Sequence, residues 1–474
     1  MGFRSMLQKR SIDLDLIRNS PLERKIGPVG LTAMGVGAVV GAGIFITPGI
    51  IAASYAGPSV ILSYIVAALV CALAALCYSE FSSTIPLSGS AYTYVYIVFG
   101  ELPAWVVGWA LISEYLFAVS SVAVSWSAYF QNILDSIGLH LPEILRAATG
   151  TAGHQGFGIN LVAGLVVLLI GFLLAGGLRE STRVNTIMVF VKVAVIILFV
   201  VVAVFYIKPK NYHPFMPFGA TGIFSGASLA FYAYIGFDAV STASEEVKEP
   251  QRTMPIGIVS SLLIASLLYS LVSFVIVGVV HYSRLNVGDP VAFVLQVIHQ
   301  NWVAGIVSLG AVVGMTTVLL VMSYGGTRLL FAISRDGLLP KAFAKVNPKT
   351  HVPITNTWIF AVIASFLAMF IPLDVITELV NIGTLFAFAM VSIGVIFLRK
   401  NPQVKDLPTA YKVPLYPFIP ILSFILCIGL MLKLRAITWI VFGFWFLAGL
   451  LVYLIYGHHH SKLLNDHVTT AHKD

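Results

Sequence analysis

The sequence predicts an all-α integral membrane protein with twelve transmembrane helices, and three observations lead there. Of 474 residues, 58% are hydrophobic and only 10% charged, against the roughly 25% charge of a soluble domain; the mean hydropathy is +0.93. Apolar residues fall in long continuous runs, and about 20 such residues carry a helix across about 30 Å of hydrocarbon. No stretch shows the short apolar–polar alternation of a membrane β-barrel. A cytosolic or secreted enzyme is excluded, because 28 basic and 20 acidic residues cannot clothe a soluble surface of this size.

Cutting the chain where charge, Pro or Gly clusters interrupt the apolar runs places spans at about 30–55, 58–83, 102–130, 158–178, 185–207, 222–246, 255–280, 302–334, 355–371, 375–398, 416–434 and 437–456. The organisation expected is a polar tail (1–28), spans 1–5 (29–207), spans 6–10 (208–398), spans 11 and 12 (399–456) and a second tail (457–474). The 28-residue polar start precedes an apolar run from Val29 to Ala56, too long for the core of a signal peptide, so the first span is expected to stay in the mature protein. Between spans 10 and 11, Pro402, Pro408 and Pro414 break up a stretch holding Lys400, Lys405 and Lys412, which reads as a linker. Cys71, Cys77 and Cys427 are too scattered for a disulfide framework or a zinc site and read as buried thiols. The run His458, His459 and His460 reads as either a metal tract or a remnant foreign to the natural chain, and functional metal binding is not expected of it.

The net charge of +8 is distributed unevenly. With an even span count both termini share one side; counting Arg328 and Lys433, near span ends, with the loops they adjoin, that side carries 21 Lys and Arg, the opposite loops carry 6, and Lys192 is the one left inside a span. The positive-inside rule therefore places both termini in the cytoplasm of a multi-pass plasma-membrane protein. No nucleic-acid partner is expected from this charge.

Gly35, Gly37, Gly41, Gly43 and Gly49 with Pro48 interrupt the first span, and Gly222, Gly226 and Gly236 interrupt the sixth. An offset of five spans reverses the entry side, so spans 1–5 and 6–10 would be inverted copies, the arrangement of transporters whose substrate site forms where paired helices break at the midplane. Unwound backbone there needs glycine, which leaves helical dihedrals and approaches a ligand without a Cβ. Freed N–H groups suit a carboxylate and freed carbonyls an ammonium, so a paired break recognises a zwitterion. Close helix packing through small residues is the competing explanation.

The residues Gly41-Ala42-Gly43-Ile44-Phe45 and Phe231-Tyr232-Ala233-Tyr234-Ile235-Gly236-Phe237-Asp238, with Glu245-Glu246-Val247-Lys248-Glu249-Pro250, resemble the amino acid–polyamine–organocation superfamily. So do Ile85-Pro86-Leu87-Ser88-Gly89-Ser90-Ala91-Tyr92 and Arg335-Asp336-Gly337-Leu338-Leu339-Pro340. The span 6 stretch is most similar to the cationic amino acid transporter branch, and the likeness runs from about Gly30 to Tyr456. The resemblance implies a leucine-transporter-like fold of two inverted five-helix repeats, with helices 1 and 6 broken and helices 11 and 12 outside the repeat. It implies alternating access and an L-amino acid substrate. It places the carboxylate on the N–H groups of Ala42, Gly43 and Ile44, and the ammonium on carbonyls near Val39, Val40, Phe231, Ala233 and Ile235. Phe231 resembles the aromatic lid on the outer side of the site; an ordinary packing or lipid-facing Phe is the alternative. Animal members of the branch have fourteen spans, so this chain is similar to a bacterial type whose substrates need not follow theirs.

Ionisable residues at membrane depth are costly and are functional suspects by default. Lys192 stands seven residues into span 5. It either snorkels to the interface or, like the span 5 lysine of proton-coupled bacterial members, replaces a sodium ion beside the span 1 break and couples transport to protons. Asp238 and Glu114 either meet a cationic substrate side chain or serve structure, Asp238 as a helix cap and Glu114 as a bond to a neighbouring span. Glu80, Glu245 and Glu246 end their spans near basic loops and read as ion pairs or a cytoplasmic gate. Met322 and Ser323 lie in the span that lines the side-chain end of the pocket in this fold, where Met limits size or merely packs.

The expected function is a proton-coupled symporter of small neutral or cationic L-amino acids, competent as a monomer in the lipid bilayer, without cofactor, resident metal or sodium site. An amino acid exchanger is the near alternative. An integral membrane transferase is remote, since no acidic metal cluster or catalytic His/Asp set stands out, and no repeated channel filter does either.

Overall fold

The computed structural model describes residues 8–10, 24, 26–87, 89–151, 156–176, 182–238, 240–241, 244, 247–347, 352–404, 407 and 411–462. Among the described residues the regular structure is helical, and the one β contact is an isolated bridge between Ile26 and Val247. The first run divides into α1 (Pro28–Val39), α2 (Ala42–Phe45) and α3 (Thr47–Ile51), followed by α4 (Val60–Thr84), α5 (Ser90–Phe99), α6 (Glu101–Ser136) and α7 (Leu161–Ala175). Then come α8 (Thr182–Ala203), α9 (Gly219–Ala230), α10 (Pro250–Val279), α11 (Pro290–Val297) and α12 (Asn301–Arg335). The last four are α13 (Ile354–Phe370), α14 (Leu373–Leu398), α15 (Phe418–Met431) and α16 (Ala436–Val452).

Seven described helical stretches are long and apolar enough to cross a membrane: Thr47–Thr84, Glu101–Ser136, Thr186–Tyr206, Pro250–Val279, Asn301–Arg335, Leu373–Leu398 and Ala436–His460. Five shorter apolar helices, α1, α5, α7, α13 and α15, accompany them. The chain is thus a multi-pass membrane protein. Two elements, α5 and α11, form where the sequence reading expects only connections. The connection between the second and third runs folds into α5, because Gly89 and Gly100, both at positive φ, let the chain turn at each end, and nine of its ten residues then bury against α6 and α14.

The packing places the two interrupted segments centrally. Helix α10 lies against α1 and α4, α6 against α12 and α14, α7 against α13, and α8 spans from α1 to α12. Residues 36–46 and 227–237 are almost wholly inaccessible, whereas α16 turns Phe444, Leu447 and Leu451 outward. That outward apolar face is the surface a bilayer covers.

At the end of α4, Glu80 accepts a two-pronged pair from Arg399, through Nε and a terminal nitrogen at 2.7 Å each, and the Val413 N–H at 2.6 Å. Glu80 is therefore an ion-pair residue joining α4 to the segment after α14, the structural option of its two readings. The Arg399 guanidinium also lies 4.1 Å from the centre of the Tyr416 ring. Glu245 and Glu246 lie outside the described residues. At the opposite end, Arg435 bridges Asp374 and Glu378, tying α14 to the start of α16.

Candidate functional site: two crossed helix breaks

The first run leaves helical geometry at Val40 (φ −77°, ψ 87°) and Gly41 (φ −132°, ψ −136°) before α2 begins. The sixth leaves it after Ala230: Phe231–Tyr234 tighten into a 3₁₀ turn, Ile235 is extended, and Gly236 takes φ +117°. The two interruptions cross. A Cβ on Gly43 would fall 2.5 Å from the Ala233 Cα, and a Cβ on Gly236 would fall 2.9 Å from the Ala38 carbonyl oxygen. Each break thus needs a glycine for the other to pass.

Breaking a helix frees carbonyls that need donors when buried, and side chains supply them. Lys192, fully buried on α8, donates from Nζ to Gly37 O at 2.6 Å and to Val40 O at 2.9 Å. Its stem reaches them across Gly314 of α12, where a Cβ would lie 3.2 Å from the Lys192 Cβ. The side chain therefore points inward to the span 1 break and does not snorkel. The Tyr269 hydroxyl of α10 lies 2.8 Å from Val39 O and 2.6 Å from Ala233 O, so one O–H is shared by one carbonyl from each break. Thr47 Oγ1 donates to Gly43 O at 2.5 Å and exchanges a 2.6 Å bond with the Tyr64 hydroxyl. Tyr129 donates to Phe45 O at 2.8 Å, and Tyr232 meets Ser121 at 2.7 Å. The rings of Tyr64, Tyr234 and Tyr269 pack on one another with centroids 5.0–6.3 Å apart.

The other sequence-selected residues fall around this crossing. Ala42, Gly43 and Ile44 are buried, and the Ile44 N–H turns back to Gly41 O at 3.3 Å. Phe231 is fully buried, its ring edge-on to Phe388 of α14 at 5.6 Å, so it faces protein and not lipid. Ala233 and Ile235 are buried at the turn. Glu114 of α6 and Asp238 are both buried and close enough to act on each other electrostatically, and Thr384 of α14, whose hydroxyl donates to Val380 O at 3.1 Å, is buried as well. Met322 and Ser323 are buried on α12, and one turn earlier Val318 packs on Gly41, where a Cβ would lie 3.0 Å from its methyl.

Sequence reasoning missed Tyr269, Tyr64, Tyr129 and Val318. A tyrosine inside an apolar run does carry a signal, because a buried hydroxyl seeks a partner, but the run alone does not name the partner.

With this geometry in place, comparison with known proteins becomes specific. The profile of the family described as amino acid permease matches residues 26–456. The methylthioribose transporter of Bacillus subtilis is 48% identical over 94% of this chain and 96% of its own. The branched-chain amino acid permease BcaP of the same organism is also 48% identical, over 97% and 99%. The vacuolar cationic amino acid transporter 4 of Arabidopsis thaliana is 36% identical over 84% and 68%. The chain belongs to the amino acid permease family, within the amino acid–polyamine–organocation superfamily, and is a membrane transporter rather than an enzyme.

Proposed function

We propose that this protein is a proton-coupled L-amino acid symporter of the plasma membrane, with both termini in the cytoplasm, twelve spans and two inverted five-helix repeats. The observation that carries the proposal is the Lys192 ammonium bound to Gly37 O and Val40 O, the one fully buried Lys or Arg among the described residues. A cation fixed at the end of α1 does the work that a sodium ion would otherwise do there, and unlike sodium it is switched by a proton.

In this reading the substrate carboxylate binds the N–H groups at the start of α2, helped by the local helix end. The ammonium takes the carbonyls that Tyr269 now holds, Val39 O and Ala233 O. The substrate side chain extends toward Val318 and Met322 of α12 and, when cationic, toward Glu114 and Asp238. Phe231 and the tyrosine cluster exclude water from the bound zwitterion. Protonated Lys192 holds α1 against α8; loss of its proton toward the more alkaline side weakens two charge-assisted bonds and lets α1 move.

The test is uptake by purified protein in proteoliposomes, with an imposed pH or sodium gradient. The panel is alanine, leucine, isoleucine, arginine, lysine and methylthioribose, the last chosen because one similar transporter bears its name. An inward proton gradient should drive accumulation of an amino acid and a sodium gradient should not. Counterflow without accumulation under any proton gradient would make the protein an exchanger. Transport of methylthioribose alone would remove the zwitterion site.

A further inference from the structure

The segment between α14 and α15 ends in five consecutive exposed apolar residues, Pro414, Leu415, Tyr416, Pro417 and Phe418. Leu415 is 73% exposed and Phe418 61%. Single apolar residues on a surface are ordinary, but a contiguous run facing water is costly. Bonds on both sides hold this run outward. Val413, just before it, is buried; its N–H donates to Glu80 at 2.6 Å and its carbonyl accepts from Arg399 at 3.0 Å. The Leu415 carbonyl accepts the N–H groups of Phe418 at 2.8 Å and Ile419 at 3.3 Å, which closes the first turn of α15. Between these anchors Leu415 takes φ +46°, a left-handed conformation that a bulky residue rarely adopts. Backbone strain is thus held in place to present a leucine outward.

Two observations say what covers the run. Phe418 opens the outward stripe of α15, which continues through Ile421 and Ile425 and on to Leu432 just past the helix end. This stripe is the kind of surface a bilayer covers, so the run at its start lies where hydrocarbon gives way to headgroups, the depth that amphipathic rings such as Tyr416 favour. The second observation is charge. Lys400 follows Arg399 and Lys412 precedes Val413, so the Arg399–Val413 bond brings the two lysine-bearing stretches together, and both lysines are exposed. Arg399 is engaged by the buried Glu80. Among the described residues, the charge this clip turns to solvent is therefore positive; Lys405 and Asp406 lie outside them.

We propose that residues 414–418 form a membrane-interface knuckle: Leu415, Tyr416 and Phe418 seat in the bilayer interface while Lys400 and Lys412 bind the headgroup phosphate of an anionic phospholipid. The partner is a lipid surface. The inference goes beyond substrate transport and depends neither on the symport reading nor on which leaflet this end faces. Each lysine near the surface should favour an anionic over a zwitterionic lipid about fivefold, and salt should screen the preference.

The test is fluorescence quenching in full-length protein reconstituted into liposomes. A polarity-sensitive thiol probe is placed on Leu415→Cys and, separately, on Phe418→Cys; Cys71, Cys77 and Cys427 are buried and should stay unlabelled. Quenching by brominated phosphatidylglycerol is compared with quenching by brominated phosphatidylcholine at equal mole fractions. We expect an emission typical of the bilayer interface at both positions. The preference for the brominated phosphatidylglycerol should be about 25-fold with both lysines present, about fivefold in Lys400→Gln or Lys412→Gln, and absent in the double variant. It should shrink in molar salt and resist millimolar inorganic phosphate. A probe in water that neither lipid quenches overturns the knuckle. A preference below about threefold in the native sequence, or one that the double variant keeps, overturns the headgroup site. Displacement of the lipid by inorganic phosphate would show a free-anion site instead, and disulfide crosslinking of Leu415→Cys between two copies in place of quenching would assign the run to a self-interface; either result overturns the proposal.

Discussion

Gly43 and Ala233 touch through their backbones: the position of a Gly43 Cβ is 2.5 Å from the Ala233 Cα. A substitution at Gly43 therefore strikes span 6 before it reaches a substrate. Even Gly43→Ala should force the two breaks apart, a cost of about 1–3 kcal/mol for overpacking, and should weaken amino acid binding at least tenfold. Thermal melting and equilibrium binding of purified protein check this. Unchanged melting and affinity in Gly43→Ala would remove the crossing from the site. Methyl esters of the substrate should also fail to bind, since the start of α2 favours a full negative charge.

Tyr269→Phe keeps the ring contacts with Tyr64 and Tyr234 and removes only the hydroxyl between Val39 O and Ala233 O. A lost donor to buried carbonyls costs about 1–3 kcal/mol, so the melting temperature should drop by several degrees. Transport should fall more than stability, because the hydroxyl connects the breaks to α10. A variant with wild-type uptake and a lowered melting temperature would make Tyr269 purely structural.

How much of this was legible in the sequence differs by residue type. Lys192 stood out because a charge in an apolar run has a high cost, and glycines stood out because a helix tolerates few of them. The direction of the Lys192 side chain was not legible: snorkelling and inward pointing share one sequence, and only the position of α8 beside α1 decides. Tyr269, Tyr64 and Tyr129 were invisible because aromatic residues suit lipid-facing, packing and hydrogen-bonding positions alike. The sequence also left Gly43 open for a ligand, since which helix crosses a break is a tertiary fact. The motif Ile85 to Tyr92 was visible as a resemblance, yet not the buried helix α5 that its last residues begin.

Glu114 and Asp238 share a buried site with Thr384. If they read a cationic side chain, Asp238→Asn and Glu114→Gln should each weaken arginine and lysine by about 10- to 100-fold, the worth of about 1.5–3 kcal/mol for a hydrogen bond to a charged group. Leucine and alanine should change less than about threefold in the same binding series. Equal loss for every substrate would assign both carboxyls to structure. Val318→Ala and Met322→Ala should separately widen the accepted size, and an unchanged panel would take that face of α12 out of the pocket.

Lys192 supplies the most specific prediction, because its two acceptors, Gly37 O and Val40 O, belong to the interrupted helix itself. The zwitterion contacts are assigned to other atoms, the N–H groups of α2 and the carbonyls Val39 O and Ala233 O, so binding and coupling should separate. Lys192→Ala should abolish accumulation driven by an inward proton gradient while retaining measurable substrate binding. It should also lower the melting temperature, because two buried carbonyls lose a donor. Lys192→Arg restores a cation at the same depth, but a guanidinium stays protonated at any reachable pH and cannot complete a proton cycle; it should bind substrate and still fail to accumulate it. That variant distinguishes a coupling role from a merely structural cation, since a structural cation would be rescued by arginine. The measurements are pH-gradient-driven uptake beside equilibrium binding and melting for the wild type and both variants. Undiminished proton-driven accumulation in Lys192→Ala, or its restoration by Lys192→Arg, would reduce Lys192 to a fastener between α8 and α1.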